Sequence, residues 1–121
     1  MTRLKLAATA LAVVTAAATA MAADAEIRVD RWVALCSSRS EPDQSTCRSY
    51  ARGVADTLIY MRKMNPQLVN ICIPDGVADK DLVDLTLPFV QGQPPTSPPL
   101  PASNLLVSAF AAGFPCQRPS R

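Results

Sequence analysis

Four cysteines in a short chain limit this fold more than any other feature. They are Cys36, Cys47, Cys72 and Cys116, and the whole chain has 121 residues. Their meaning depends on where the chain goes. Arg3 and Lys5 form a short basic start, and Leu6 to Ala20 is an apolar, alanine-rich run without charge. Ala20-Met21-Ala22 is a small-x-small cleavage site, so residues 1–22 read as a signal peptide and 23–121 as the exported protein. Ala18-Thr19-Ala20 offers a second cut. An uncleaved membrane anchor is the rival reading, but the run is short of the roughly 20 residues that span a bilayer. All four cysteines therefore fall in an exported domain, where an even number reads as two disulfides.

Three pairings are possible. The preferred one joins Cys36 to Cys47, closing a tight helical hairpin, and Cys72 to Cys116, tying the strand-like Ile71-Cys72-Ile73-Pro74 to the end of the last helix. Loop entropy makes these crosslinks worth roughly 3 and 4 kcal/mol, a large contribution to a core this small. A metal site is the weaker alternative. There is no histidine, and the 10, 24 and 43 intervening residues form no paired zinc knuckle.

Hydrophobic periodicity supplies the elements. Val29, Trp32, Val33 and Cys36 recur at helical spacing and predict a first helix from Ile27 to about Ser37. The only tryptophan sits in that stripe and reads as core, with a ligand platform as the alternative. Arg28 and Arg31 flank it and are expected in solvent. Ser38 to Asp43, with Pro42, is the turn. A second helix runs from about Asp43, as its cap, to Met64, with Cys47, Tyr50, Ala51, Val54, Leu58 and Met61 on its apolar face. Gly53 costs roughly 1 kcal/mol in mid-helix, which predicts a neighbouring backbone too close for a side chain. Tyr50, Gly53 and Asp56 read as packing, or as a polar contact surface.

Asn65-Pro66 ends the second helix. Pro74, Asp75 and Gly76 carry turn chemistry. A third helix starts near Ala78 or Asp79, with Val77 and Leu82 placed as a hydrophobic staple and Asp79 and Asp81 at the positive end of the dipole. Leu82, Leu85 and Phe89 are its expected buried face, and Pro88 predicts a kink or an early stop. Residues 91–101 contain five prolines, so this segment is extended, stiff and exposed. It reads as a crossover loop or as a protruding partner-binding loop, and the residues assigned to binding are Gln91, Gln93, Pro94, Thr96, Ser97 and Pro98. Pro101 opens the last helix, whose face is Leu105, Leu106, Ala109 and Phe110. Gly113 is expected to end it in the left-handed conformation, and Pro115 bars its continuation. The sum is a small, all-α, disulfide-stapled bundle of about four helices.

The chemistry this chain can perform is narrow. Without histidine, neither a Ser-His-Asp nor a Cys-His arrangement can be built. Disulfide-bonded cysteines are not nucleophiles, and no glycine-rich phosphate loop is present. The acidic residues cluster at helix starts, where dipole and capping effects account for them. No enzyme, cofactor or metal is indicated. The whole chain carries a net charge of +2, but Arg3 and Lys5 leave with the signal peptide and the remainder is formally neutral. That argues against a nucleic-acid binder, which needs a basic face.

The motifs occur in a recognisable order: Leu35-Cys36, then Cys47-x-x-Tyr50-x-x-Gly53-x-x-Asp56, then Cys72-Ile-Pro-x-Gly-Val77 and Asp81-Leu82. Pro101-Ala-Ser-x-Leu105, Ala109-Phe110 and Phe114-Pro115-Cys116 close the set. This order resembles the Tai immunity proteins, which protect bacteria from amidase effectors of the type VI secretion system. The resemblance implies an all-helical periplasmic protein, often a homodimer, that binds a cell-wall amidase effector protein and blocks its catalytic groove sterically. Ala78 stands where the family usually has threonine, Pro88 interrupts a helix that normally reaches a Tyr-Leu pair, here Phe89-Val90, and the loop before Pro101 is richer in proline. A reading from another class is a small periplasmic chaperone or structural helper with no toxin partner, resting on size, disulfides and low charge.

Overall fold

The computed structural model describes residues 26–117; the expected signal peptide, residues 1–22, lies outside the described residues. Four helices follow in order: α1 Val29–Ser37, α2 Glu41–Met64, α3 Asp79–Gln91 and α4 Ala102–Gly113. Each helix touches the other three, and the core is packed between them. Trp32, Phe110, Leu82 and Leu106 are its largest fully buried side chains. No β-strand occurs among the described residues, only two isolated bridges.

Both preferred disulfides are present. Cys36–Cys47 links α1 to α2 with the Cα atoms 5.1 Å apart, and Cys72–Cys116 joins the α2–α3 connection to the chain after α4 at 4.9 Å. The second crosslink is reinforced by backbone. Ile71 bridges Pro115, and the Cys72 N–H donates to the Phe114 carbonyl at 2.8 Å. Val69 and Ile71 fill the core beneath this connection, although they belong to no helix.

Several details differ from the sequence expectations, each for a local reason. Helix α1 starts at Val29 and not at Ile27. Ile27 and Arg28 are taken up by pairing with the entrance of α4: Val29 N–H donates to the Leu100 carbonyl at 2.9 Å and Ala102 N–H to the Ile27 carbonyl at 2.8 Å. Helix α2 begins at Glu41 behind Ser40, so Pro42 lies in its first turn, where a missing N–H costs nothing. Asp43 is therefore not the cap. It accepts from the Ser38 hydroxyl at 2.7 Å and so ties the turn to the helix.

Helix α3 passes through Pro88 and ends at Gln91. Proline frees the carbonyl of Asp84, four residues back; both residues are exposed, and water can satisfy it. The buried stripe is Leu82, Thr86 and Val90, whereas Leu85 and Phe89 are only half-buried. Thr86 tolerates the core because its hydroxyl donates to the Leu82 carbonyl at 2.7 Å. Ala78 occupies the cap position of α3 with no side-chain hydrogen bond. Arg52 ties α2 to this end of α3 in a different way. Its guanidinium donates to Asp79 Oδ1 at 2.6 Å and to the Val77 carbonyl, and Asp56 lies 3.5 Å away. The hydrogen bond with Asp79 holds Arg52 above the usual arginine value.

Neither helical glycine plays its expected part. A methyl group on Gly53 would meet nothing within 4 Å, so no close backbone explains it. Gly113 does not take a positive φ; it is the last residue of α4, with Phe114 following as the cap. A methyl there would lie 2.6 and 2.8 Å from the two Leu85 methyls and 3.1 Å from Leu85 Cγ. Gly113 thus makes room for α3. Gly53→Ala is expected to raise stability by about 1 kcal/mol through helix propensity. Gly113→Ala is expected to lower it by about 1 kcal/mol, since the whole isobutyl group of Leu85 must shift. Urea midpoints of the two variants check the pair, and stabilisation by both would contradict the tight α3–α4 approach.

Candidate functional site

The segment between α3 and α4 is shaped by its ends. Gly92 closes α3 by donating to the Pro88 carbonyl at 3.0 Å, and the Gln93 side-chain amide reaches back to the Phe89 carbonyl at 3.2 Å. At the far end the chain pairs with Ile27 to Val29 as described above. A third tether comes from Arg28, whose guanidinium donates to the Pro99 carbonyl at 2.8 Å. Arg28 was expected in solvent; instead it is half-buried, its charge spent on a loop carbonyl. The Thr96 hydroxyl donates to the Pro98 carbonyl at 2.9 Å, which steadies the middle. Prolines restrict φ over the remainder. The loop is therefore both exposed and held.

Between this loop and α1 lies a cleft of about 470 Å³. Helix α1 contributes Val29, Asp30 and Val33, the end of α3 contributes Val90 and Gln91, and α4 contributes Leu105. The loop supplies Gln93, Pro94, Pro95, Thr96, Pro99 and Leu100. Of the residues assigned to binding from sequence, Gln91, Gln93, Pro94 and Thr96 line the cleft. Ser97 and Pro98 are exposed outside it. The wall is mostly apolar, and Asp30 is the single charged residue in it.

Sequence reasoning missed the opposite wall. Val29 and Val33 were placed in the core stripe of α1, yet only Trp32 of that helix is fully buried. Nine residues make two and a half turns, and a tryptophan fills most of the inward face of so short a helix. Val29 and Val33, partly buried, pack against the edge of the core and also line the groove. Their signal was present as two β-branched residues at i and i+4 beside a first-turn aspartate, but that pattern does not distinguish core from cleft.

A second apolar depression lies on α2 and α4, lined by Tyr50, Gly53, Val54, Thr57 and Met61 together with Ser103 and Val107. Met61, expected in the core, is 45% exposed here, because α2 outruns the shorter helices that cover it. Asp56 is not part of this surface; it turns to Arg52, so Tyr50, Gly53 and Asp56 do not form a joint polar site. Among the described residues there is no free cysteine, no group of three or more His, Cys, Asp or Glu side chains arranged to hold a metal, and no helix long and apolar enough to cross a membrane.

Comparison with known proteins adds one positive finding. Residues 28–116 match the family model described as Rap1a immunity proteins. The matched span begins at the Arg28 tether, covers all four helices and ends on Cys116. No curated protein and no solved structure matches the chain.

Proposed function

We propose, since the chain belongs to the Rap1a immunity protein family, that it is the periplasmic antidote to a peptidoglycan amidase effector of a type VI secretion system. The observation that carries this reading is the family match across the entire helical unit. An immunity protein acts by binding a partner effector, and the ordered motifs shared with Tai proteins support an amidase as that partner. The protein itself performs no reaction: it covers the catalytic groove of the effector and excludes the cell wall from it.

Two physical features support the compartment and the mode of binding. Disulfides persist in oxidising environments, and both crosslinks here are structural staples. A loop already tethered at Arg28, Ile27 and Val29 loses little conformational freedom on binding, so more of the contact energy appears as affinity. Gln91, Gln93, Pro94, Thr96, Ser97 and Pro98 form the contact surface we assign. The Tai resemblance also supports a homodimer, for which α2 offers the exposed apolar side chains Tyr60, Met61 and Met64.

The test is protection of living cells. When the cognate cell-wall amidase effector is directed to the periplasm, co-expression of the full chain should restore growth. A version lacking residues 1–22 should leave cells unprotected, because the antidote never meets the toxin. Protection by the leaderless form would contradict the periplasmic site of action, and lysis in the presence of the full chain would contradict immunity.

A further inference from the structure

We infer that the cleft between α1 and the proline-rich loop is an anchoring pocket for one large apolar side chain of the protein partner, with a lysine or arginine beside it that pairs with Asp30. This rests on the reading that the partner is a protein. The cleft, about 470 Å³, has room for a large side chain together with part of the residue next to it. The lining chemistry narrows the occupant. Val29, Val33, Val90, Leu100 and Leu105 offer apolar contact from three helices and the loop. Buried anchors of interfaces are most often aromatic side chains entering such pockets.

Asp30 sets the charge. It lies in the first turn of α1, is exposed, and makes no ion pair with any described residue. Its position there suits the helix dipole, and it is also the only charged residue in the lining of the cleft, at the border with a neighbouring depression that holds Arg28 and Arg31. An anionic partner surface would be repelled, and a neutral one would leave the carboxylate without a partner as the interface closes. An apolar residue adjacent to a basic one satisfies both halves of the site. The pocket walls are set in advance by the Arg28–Pro99 hydrogen bond and the Ile27–Ala102 pairing, so the anchor enters without first ordering the loop.

The test uses purified protein and three capped dipeptides followed by methyl NMR: acetyl-Phe-Lys-amide, acetyl-Phe-Glu-amide and acetyl-Ala-Lys-amide. The Phe-Lys peptide should shift the Val29, Val33 and Leu105 methyls saturably. Phe-Glu should bind roughly two- to fivefold more weakly, the range expected for one exposed ion pair, and Asp30→Asn should erase that difference. Ala-Lys should produce no saturable shift. The inference is overturned if these methyls do not respond, if Phe-Lys and Phe-Glu bind equally, or if the same methyls shift on raising protein concentration alone, which would seat a second copy in the cleft. The peptide series decides the pocket whether or not an amidase is inhibited. A failed pocket and a failed functional reading therefore give different results.

Discussion

Replacing Trp32 with alanine is expected to destabilise the protein by about 3–5 kcal/mol, the range for truncating a fully buried aromatic side chain. Trp32 has no exposed surface and stands where α1 meets the core. Its ring cannot be replaced by collapse, because the neighbouring Cys36 and Cys47 are pinned by their disulfide. The indole N–H also donates to the Cys47 carbonyl at 3.3 Å. That bond is the smaller part of the effect. Cys47 lies inside α2, where its carbonyl already has a helical donor, so losing the indole leaves no orphaned acceptor. Trp32→Phe should therefore cost only about 1–2 kcal/mol. Urea unfolding of both variants separates volume from hydrogen bonding. Equal losses in the two would show that the indole N–H, and not the ring, holds α1 in place. Since small domains have about 5–15 kcal/mol of stability in total, the alanine variant should unfold at markedly lower urea.

Removing the Cys72–Cys116 crosslink is expected to cost about 4 kcal/mol, against about 3 kcal/mol for Cys36–Cys47. The difference follows from sequence separation, 44 residues against 11, because the longer loop releases more entropy in the unfolded chain. The longer crosslink also closes α3, the proline-rich loop and α4 into one circuit, so its loss should loosen the face that carries the cleft. Paired Cys→Ala variants, measured in urea alongside the oxidised parent, give both numbers. A larger loss for Cys36–Cys47 would mean that strain or residual structure outweighs loop length here. The Ile71–Pro115 bridge and the Cys72–Phe114 hydrogen bond remain in the C72A/C116A variant, so the fold should survive at low temperature.

Those crosslinks were also the most legible part of the chain. The cysteines announce themselves by their number in a short chain, while helical spacing in α1, α2 and α4 and the Asp75-Gly76 turn act locally, and Gly76 adopts the positive φ of 78° that such a turn needs. What could not be read were choices made by tertiary contact. Thr86 displaces Phe89 from the core because a hydroxyl can satisfy itself on its own helix, which the hydropathy of threonine does not reveal. Gly113 looks like a helix terminator in sequence, yet its reason is Leu85, 28 residues earlier. Pro88 looks like a break, but it and Asp84, whose carbonyl it frees, both lie on the exposed side of α3. The loop half of the cleft was visible as a proline-rich segment. The α1 half was hidden, since nothing in Val29 and Val33 tells how much of their helix Trp32 already fills.

The central proposal is that this protein inhibits a cell-wall amidase by covering it. The most direct measurement is a titration of cell-wall amidase effectors, acting on purified peptidoglycan, with residues 23–121 of this protein. The account predicts that cleavage falls linearly and stops at one protein per enzyme, with an affinity near nanomolar, about −12 kcal/mol. Replacing Gln93 to Ser97 with a glycine-serine segment should shift that curve at least about tenfold, as the preordered surface is lost. Undiminished cleavage in the presence of a large excess of the protein would contradict the claim outright.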